Sequence, residues 1–334
     1  MPHRYKVREI AQQAGLSEAT VDRVLNDRPG VRENTRAEVA QAIADLDKQR
    51  AQLRLNGRRF LVDVVMQTPQ RFSDAFRAAI EAELPAFAPA MVRARFHLWE
   101  SGSTAQMAEV LGKIRGSHGV VLKAQDAPKV TEAVDRLVGT GVPVVTYSTD
   151  VPNSARCAYV GIDNHGAGVT AAYLMDQWLG AAPSGVLITL SGTVFRGEGE
   201  REVGFRSALR GSGREVVEVS DSDGIDATTE RLVLDALQRH PGLEAVYSPG
   251  GGNTATVAAF EKLGREYKVF IAHDLDVDNR RLLRDGRISV VLHNDLRADA
   301  RVAMRQILQR HGALPPEAAR PAPIQVITPY NLPA

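Results

Sequence analysis

Residues Val7 to Asn26 constrain this chain more than any other stretch. Val7, Ile10, Ala11 and Ala14 recur at helical spacing, so a short first helix buries one face. Gly15 follows where a helix C-cap favours a residue that tolerates positive φ, Leu16 plugs the turn, and Ser17 is a good N-cap for a second helix. In that second helix Val21, Val24 and Leu25 face inward, which leaves Glu18, Ala19, Asp22, Arg23 and Asn26 outward. Two short helices about a tight glycine turn, the second polar on its outer face, describe a helix-turn-helix. An ordinary α-hairpin in a larger helical core has the same shape, so position and continuation must decide between them.

The continuation is a third helix. Val39, Ile43 and Leu46 fall on one stripe, and Thr35 with Glu38 forms a candidate capping box at its start. On these residues the chain resembles the LacI/GalR transcriptional repressors. The shared signature is Val7, Ile10-Ala11, Ala14-Gly15-Leu16-Ser17, Thr20-Val21, Arg23-Val24-Leu25-Asn26, Val31 and Thr35-Arg36. Asp22 departs from the family, which usually has serine there; an acid beside DNA either repels phosphate or accepts from a cytosine amino group. The resemblance implies a homodimer on double-stranded operator DNA, its recognition helices in successive major grooves. It implies Arg23 as the direct base reader, Glu18 and Ala19 as setters of operator preference, and Ser17, Asn26, Arg32 and Thr35 as phosphate contacts, with Lys6 a further DNA-binding residue.

Charge supports the division this implies. Residues 1–59 carry 12 Lys and Arg against 8 Asp and Glu, while the remainder carries 29 against 32. A basic head on a slightly acidic body suits phosphate binding by the head alone. The single cysteine, Cys157, excludes a disulfide framework and fits a reducing cytoplasm. A polar, basic N-terminus without an apolar run predicts no secretory signal, and no stretch reaches membrane-span length. The expected location is the bacterial cytosol.

We divide the chain into a head at 1–46, a linker at 47–59 and a core at 60–334. In the family the linker is a hinge helix that pushes a leucine into the minor groove. Here the usual Tyr-x-Pro-Asn entry is replaced by Lys48, Gln49, Arg50 and Ala51, and the segment is about three residues short. Leu53 or Leu55 is the candidate wedge, with Arg54 at the phosphates; the alternative is a short basic linker that only tracks the backbone through Arg50, Arg54, Arg58 and Arg59.

From Phe60 the periodicity changes. Apolar runs such as Leu61–Gln67, Gly119–Lys123, Gly185–Leu190 and Lys268–Ala272 alternate with helical segments such as Asp74–Leu84, Ser103–Ile114 and Ala167–Leu179. Strand–helix alternation with near-continuous apolar strands predicts an α/β fold of doubly wound parallel sheets, and eleven strand candidates exceed one sheet. The resemblance implies a two-lobed periplasmic-binding-protein-like core. Lobe 1 is expected over about 60–162 and 295–327, lobe 2 over about 163–293 and 328–334, with crossings near Asp163, Asn294 and Thr328.

In such sheets ligands bind beyond the carboxyl ends of strands. That rule selects Gln67, Phe72, Asp74, Lys123, Tyr147, Ser148 and Thr149 in the first lobe, and Arg196, Arg201, Asn253, Asp274 and Asn294 in the second. Arg201, Asp274 and Asn294 fall on family ligand positions by the resemblance. Arg with Asp or Asn bonds adjacent hydroxyls while aromatic rings cover C–H faces, so a carbohydrate-like effector (sugar, glycoside, disaccharide or polyol) is expected. Gly250–Gly252 replace an Asn-Asp pair common in the family, which would leave room for a larger ligand, with Asn253 taking over. No Rossmann fingerprint, Walker loop, nucleophile elbow or metal-ligand spacing is present, so neither catalysis nor a cofactor is expected. The expected function is a ligand-modulated repressor. The alternatives are a transport-type sugar-binding protein or a ligand-dependent activator on the same core.

Overall fold

The computed structural model describes residues 3–55, 57–181, 183–192, 195–220, 222 and 225–333; for residue 48 and residues 51–55 it describes the backbone alone. The head is three helices, α1 (Val7–Ala14), α2 (Glu18–Leu25) and α3 (Glu33–Leu55). Ile10, Ala11, Val21, Val39 and Ala42 close a small core, with Leu16, Val24 and Leu25 packed on it. Gly15 takes φ 69° in the turn, and the Ser17 hydroxyl accepts from the Thr20 amide at 3.1 Å to cap α2.

α3 departs from expectation at both ends. It opens at Glu33, which puts Thr35 within its first turn, and no hydrogen bond joins Thr35 to Glu38 among the described residues. Helical backbone also continues through most of the expected linker to Leu55. The run 47–55 holds no Gly or Pro, and Gly57 (φ 70°) follows its end. The N-terminal segment braces this extension: the Tyr5 hydroxyl donates to Asp47 at 2.6 Å and Arg4 pairs with the same carboxylate at 2.9 Å. The side chains of Leu53, Arg54 and Leu55 lie outside the described residues, so the wedge reading stays an expectation.

Two sheets follow. The first has order β2-β1-β3-β4-β5 and is parallel throughout: β1 (Arg59–Gln67), β2 (Met91–Trp99), β3 (Gly119–Lys123), β4 (Val144–Tyr147) and β5 (Ala158–Val160). Helices α4 (Gln70–Glu83), α5 (Thr104–Lys113) and α6 (Pro128–Gly139) belong to this lobe. The second has order β11-β10-β9-β8-β6-β7: β6 (Gly185–Thr189), β7 (Val216–Val219), β8 (Leu243–Ser248), β9 (Val269–His273), β10 (Val290–His293) and β11 (Gln325–Ile327). With it go α7 (Asn164–Leu179), α8 (Arg196–Leu209), α9 (Asp226–Arg239), α10 (Asn253–Lys262) and α11 (Val277–Arg284). The Val- and Ile-rich strands are buried on both faces because each lobe carries apolar clusters above and below its sheet.

The chain leaves the first lobe after β5, where Ile162 bridges Ala322, and Asp163 caps α7 by accepting from the Gly166 amide at 3.0 Å. It returns after β10 through Asn294 into α12 (Leu296–Arg310), whose Ala300, Ala303, Met304 and Ile307 pack into the first lobe's core. The third crossing corrects our expectation. It lies before Gln325 and not at Thr328, because β11 pairs antiparallel with β10 of the second lobe, Leu292 opposite Val326. A strand arriving from the other lobe enters from the opposite direction, and an antiparallel edge is the pairing open to it.

Candidate functional site

The carboxyl ends of both sheets face one cleft. β1 delivers Gln67 and Thr68, α4 delivers Arg71 and Phe72, β3 ends in Lys123, and Ser148 and Thr149 follow β4. From the second lobe come Ser191, Phe195, Glu198 and Arg201 around the start of α8, Gly250 and Gly251 after β8, and His273, Asp274, Asp276 and Asn279 after β9. The cavity in this cleft, partly open to solvent, has a volume of about 60 Å³.

Arg201 is the hub of the second-lobe wall. It is 3 % exposed, its Nε donates to Asn164 Oδ1 at 2.9 Å, one Nη donates to the Pro249 carbonyl at 3.2 Å, and Asp274 lies 4.0 Å away. Asn164 in turn donates to the Ser148 carbonyl at 3.3 Å, so the guanidinium is tied to the other lobe. Ser148 and Asp274 both take positive φ, 63° and 64°. Such backbone strain in non-glycine residues gathers at sites where side-chain direction matters. Burial drives the His273 ring well below its usual pKa, with Arg201 adding to the effect; its Nε2 lies 3.0 Å from the Tyr247 hydroxyl. Burial also pushes the Glu198 carboxyl up, against the pull of its hydrogen bonds from Ser191.

Polar contacts close the cleft. Arg71 of the first lobe pairs with Asp276 of the second at 2.9 Å, Arg196 reaches Asp126 at 3.6 Å, and the Gly197 amide donates to Thr149 Oγ1 at 3.1 Å. The first pair is largely shielded from water and so less screened than a surface bridge.

Of the residues selected from the sequence, Gln67, Phe72, Lys123, Ser148, Thr149, Arg201 and Asp274 line the cleft. Five others do not. Asp74 is exposed, since two residues along α4 from Phe72 is about 200° round the helix. Tyr147 lies fully buried under the wall, stacked on Phe76 at 3.9 Å. Arg196 stands exposed at the rim in its bridges to Asp126 and Glu200. Asn253 sits behind the wall, donating to Asn279 Oδ1 at 2.7 Å, and Asn294 donates to Asp299 at 3.0 Å at the crossing.

The glycine loop is also corrected. A Cβ on Gly250 would meet the Ser191 amide at 2.2 Å and Glu198 at 2.6 Å, and one on Gly251 would meet Arg71 at 2.6 Å. The glycines therefore admit Glu198 and Arg71 and do not leave space for a larger ligand. Arg71, Glu198, Asp276 and Asn279 went unselected in the sequence. Arg71 and Glu198 lie in the first turns of helices that follow strands, where the strand-end rule would reach them if extended by one turn.

The crossing at Asn294 carries a pH-dependent prediction. Burial, with Asp295 and Asp274 adding to it, pushes Asp299 up to about 6 against the Asn294 hydrogen bond. A carboxyl raised above its unfolded value favours the fold at low pH and loses that contribution as pH climbs through about 6. Asp299→Asn should therefore be more stable than the parent at pH 7–8, by on the order of 2 kcal/mol, with the difference gone below about pH 4. Melting temperatures of both proteins across this range check it.

On the head, Glu18, Ala19, Arg23 and Asn26 are exposed along α2, and Lys6, Ser17 and Arg32 are exposed beside it. Thr35 is half-buried. Arg23 makes no ion pair among the described residues, whereas Asp22 accepts from Asn26 at 2.8 Å and lies 3.4 Å from Arg28. Those two partners offset the acid that the sequence places beside the DNA. Among the described residues no three His, Cys, Asp or Glu side chains gather as a metal site needs, and no helix is long and apolar enough to cross a membrane.

Residues 64–311 match the periplasmic binding protein domain, and residues 6–48 match the bacterial regulatory proteins of the lacI family. The chain belongs to the LacI family. Its fold is shared with GanP, a glucose-galactose binding protein from Geobacillus stearothermophilus (TM-score 0.75, 19 % identity, 84 % of this chain and 100 % of that one). It is similar also to an ABC transporter solute binding protein from Burkholderia graminis in complex with D-arabinose (TM-score 0.74, 20 % identity, 83 % and 97 % covered). A candidate LacI transcriptional regulator from Bacteroides fragilis superposes with TM-score 0.71 at 14 % identity, over 82 % and 98 % of the two chains. No curated protein sequence matches the chain. This LacI-family chain is a DNA-binding regulator whose second module is a ligand-binding core.

Proposed function

We propose that the protein is a cytoplasmic, non-enzymatic repressor that acts as a homodimer and is released from its operator when a carbohydrate-like effector fills the interlobe cleft. One observation carries this reading: a head with an exposed Arg23, without an ion pair among the described residues, shares a chain with a cleft whose walls come from two lobes. Sugars are named for the similar binding proteins, and the cleft offers the matching chemistry of Arg201, Asp274 and Gln67 with the Phe72 and Phe195 rings. The effector acts only through its differential affinity for lobe arrangements that do and do not suit DNA. The continuous α3 gives this coupling a helical route from head to core.

Arg23→Ala should lower operator affinity by about 10- to 100-fold, the discrimination lost with one bidentate base contact, while effector affinity stays unchanged. Fluorescence anisotropy on the protein's own upstream DNA against scrambled DNA measures it. Unaltered operator selectivity would remove Arg23 from base reading.

A further inference from the structure

In the cleft most of the charged groups are matched. Arg71 faces Asp276 at 2.9 Å, Arg201 has Asn164, Pro249 and Asp274, and Glu198 takes the Ser191 amide and hydroxyl. Lys123 differs. Its ammonium donates to one neutral partner, Thr68 Oγ1 at 3.1 Å, and among the described residues no carboxylate lies within ion-pair distance. The Phe72 ring lies 4.2 Å away and the Phe195 ring, from the other lobe, 6.0 Å. Three further wall atoms have no partner among the described residues: the acceptors Gln67 Oε1 and Asp274 Oδ1, and the His273 ring Nδ1.

We propose that the effector is a hydroxylated carboxylate of monosaccharide size, a sugar acid, whose carboxylate pairs with Lys123 while its hydroxyls donate to Gln67 Oε1 and Asp274 Oδ1. An ammonium keeps three donors, and only one is used here. A ligand anion supplies a directly bonded counter-charge, which Asp274 and Glu198 give only from beyond ion-pair distance, and charge-assisted bonds in a shielded cleft are the strong ones. Hydroxyl donors complete the two acceptors, which a ligand bearing only an anion would leave bare. The roughly monosaccharide scale follows from Arg71 and Glu198 occupying the glycine-loop space.

Burial lowers Lys123 to about 8, with Asp274 and Glu198 raising it in part and Arg201 and Arg71 lowering it further. A carboxylate bound beside it restores the charged form, so binding at pH 8 draws in roughly half a proton, and binding at pH 6.5 almost none.

The inference rests on the regulator reading above, and its test separates the two. The full-length protein is screened by thermal shift with D-gluconate, D-galactonate, D-glucuronate and D-galacturonate beside neutral D-glucose and D-galactose. Hits go to calorimetry in buffers of different ionisation enthalpy, then to DNA-binding assays. The expected result is stabilisation by an acid and not by its neutral parent. Affinity should fall about 10- to 100-fold in Lys123→Gln, with retention in Lys123→Arg and buffer-dependent heat at pH 8. A neutral sugar that stabilises, weakens DNA binding and is indifferent to Lys123→Gln overturns the acid and leaves the regulator standing. A panel that stabilises nothing overturns both.

Discussion

Gly168→Ala is expected to lower the melting temperature of the core by about 6–12 °C, corresponding to about 3 kcal/mol of overpacking in a domain of this size. The reason lies in the crossing of α7 and α8. A Cβ on Gly168 would sit 1.9 Å from the Arg201 carbonyl oxygen and 2.8 Å from the Phe205 amide, and one on Gly204 would sit 2.2 Å from the His165 carbonyl. Each helix thus presents a glycine to the other's backbone, so no flexible side chain can yield. Real contacts at a Cβ begin well beyond 3 Å, so the helices must separate by roughly 1 Å or more, and a close-packed interior transmits that shift. Phe205, stacked on Tyr247 at 4.3 Å, and Arg201 ride on the displaced helix. Effector affinity should fall along with stability. Gly199→Ala, on α8 with nothing within 4 Å of its Cβ, is the control and should be neutral or slightly stabilising. Calorimetry on the three proteins decides: a parent-like transition for Gly168→Ala would contradict the close helix contact.

The sequence made the strands legible because their apolar runs are uninterrupted. Gly119–Lys123 stands where expected, and the Ser103 cap on α5 accepts from the Gln106 amide at 3.1 Å. What it left unread was set by partners distant in sequence. The destination of β11 depends on β10, 32 residues or more earlier, so no local pattern separates a lobe-1 ending from a lobe-2 edge. The same holds for Gly250 and Gly251, whose lack of side chains is read locally as space. They are small because Glu198 and Arg71 approach from other segments. The continuity of α3 through the linker was masked by the family's separate hinge helix, although residues 47–55 have good propensity. In the cleft, strand ends gave the positions that strands fix directly. Helical residues facing it, Arg71 and Glu198, depend on a rotation about the helix axis that the periodicity alone leaves open.

Arg201→Met carries the second large effect, and it separates two roles that the residue combines. Methionine keeps the apolar stem but strands two buried acceptors, Asn164 Oδ1 and the Pro249 carbonyl, and removes the positive charge 4.0 Å from half-buried Asp274, which already has one unpartnered oxygen. Leaving such groups unsatisfied costs about 1–3 kcal/mol each before relaxation, so a total near 3 kcal/mol and a fall of about 6–12 °C in melting temperature are expected. Arg201→Lys should rescue little, because a single ammonium cannot serve Asn164 and Pro249 with the spread of a planar guanidinium. The thermal shift produced by the effector should vanish in both variants. Operator affinity without effector, measured well below the transition, should change by less than about threefold, since the recognition residues of α2 pack on a separate small core. A variant that melts lower yet still answers the effector would reduce Arg201 to a structural strut, and the hydroxyl-binding wall would then rest on Asp274 and Gln67. A variant that loses both effector response and operator binding would show that Arg201 holds the lobe arrangement DNA requires, through Asn164 and the Ser148 carbonyl beyond it.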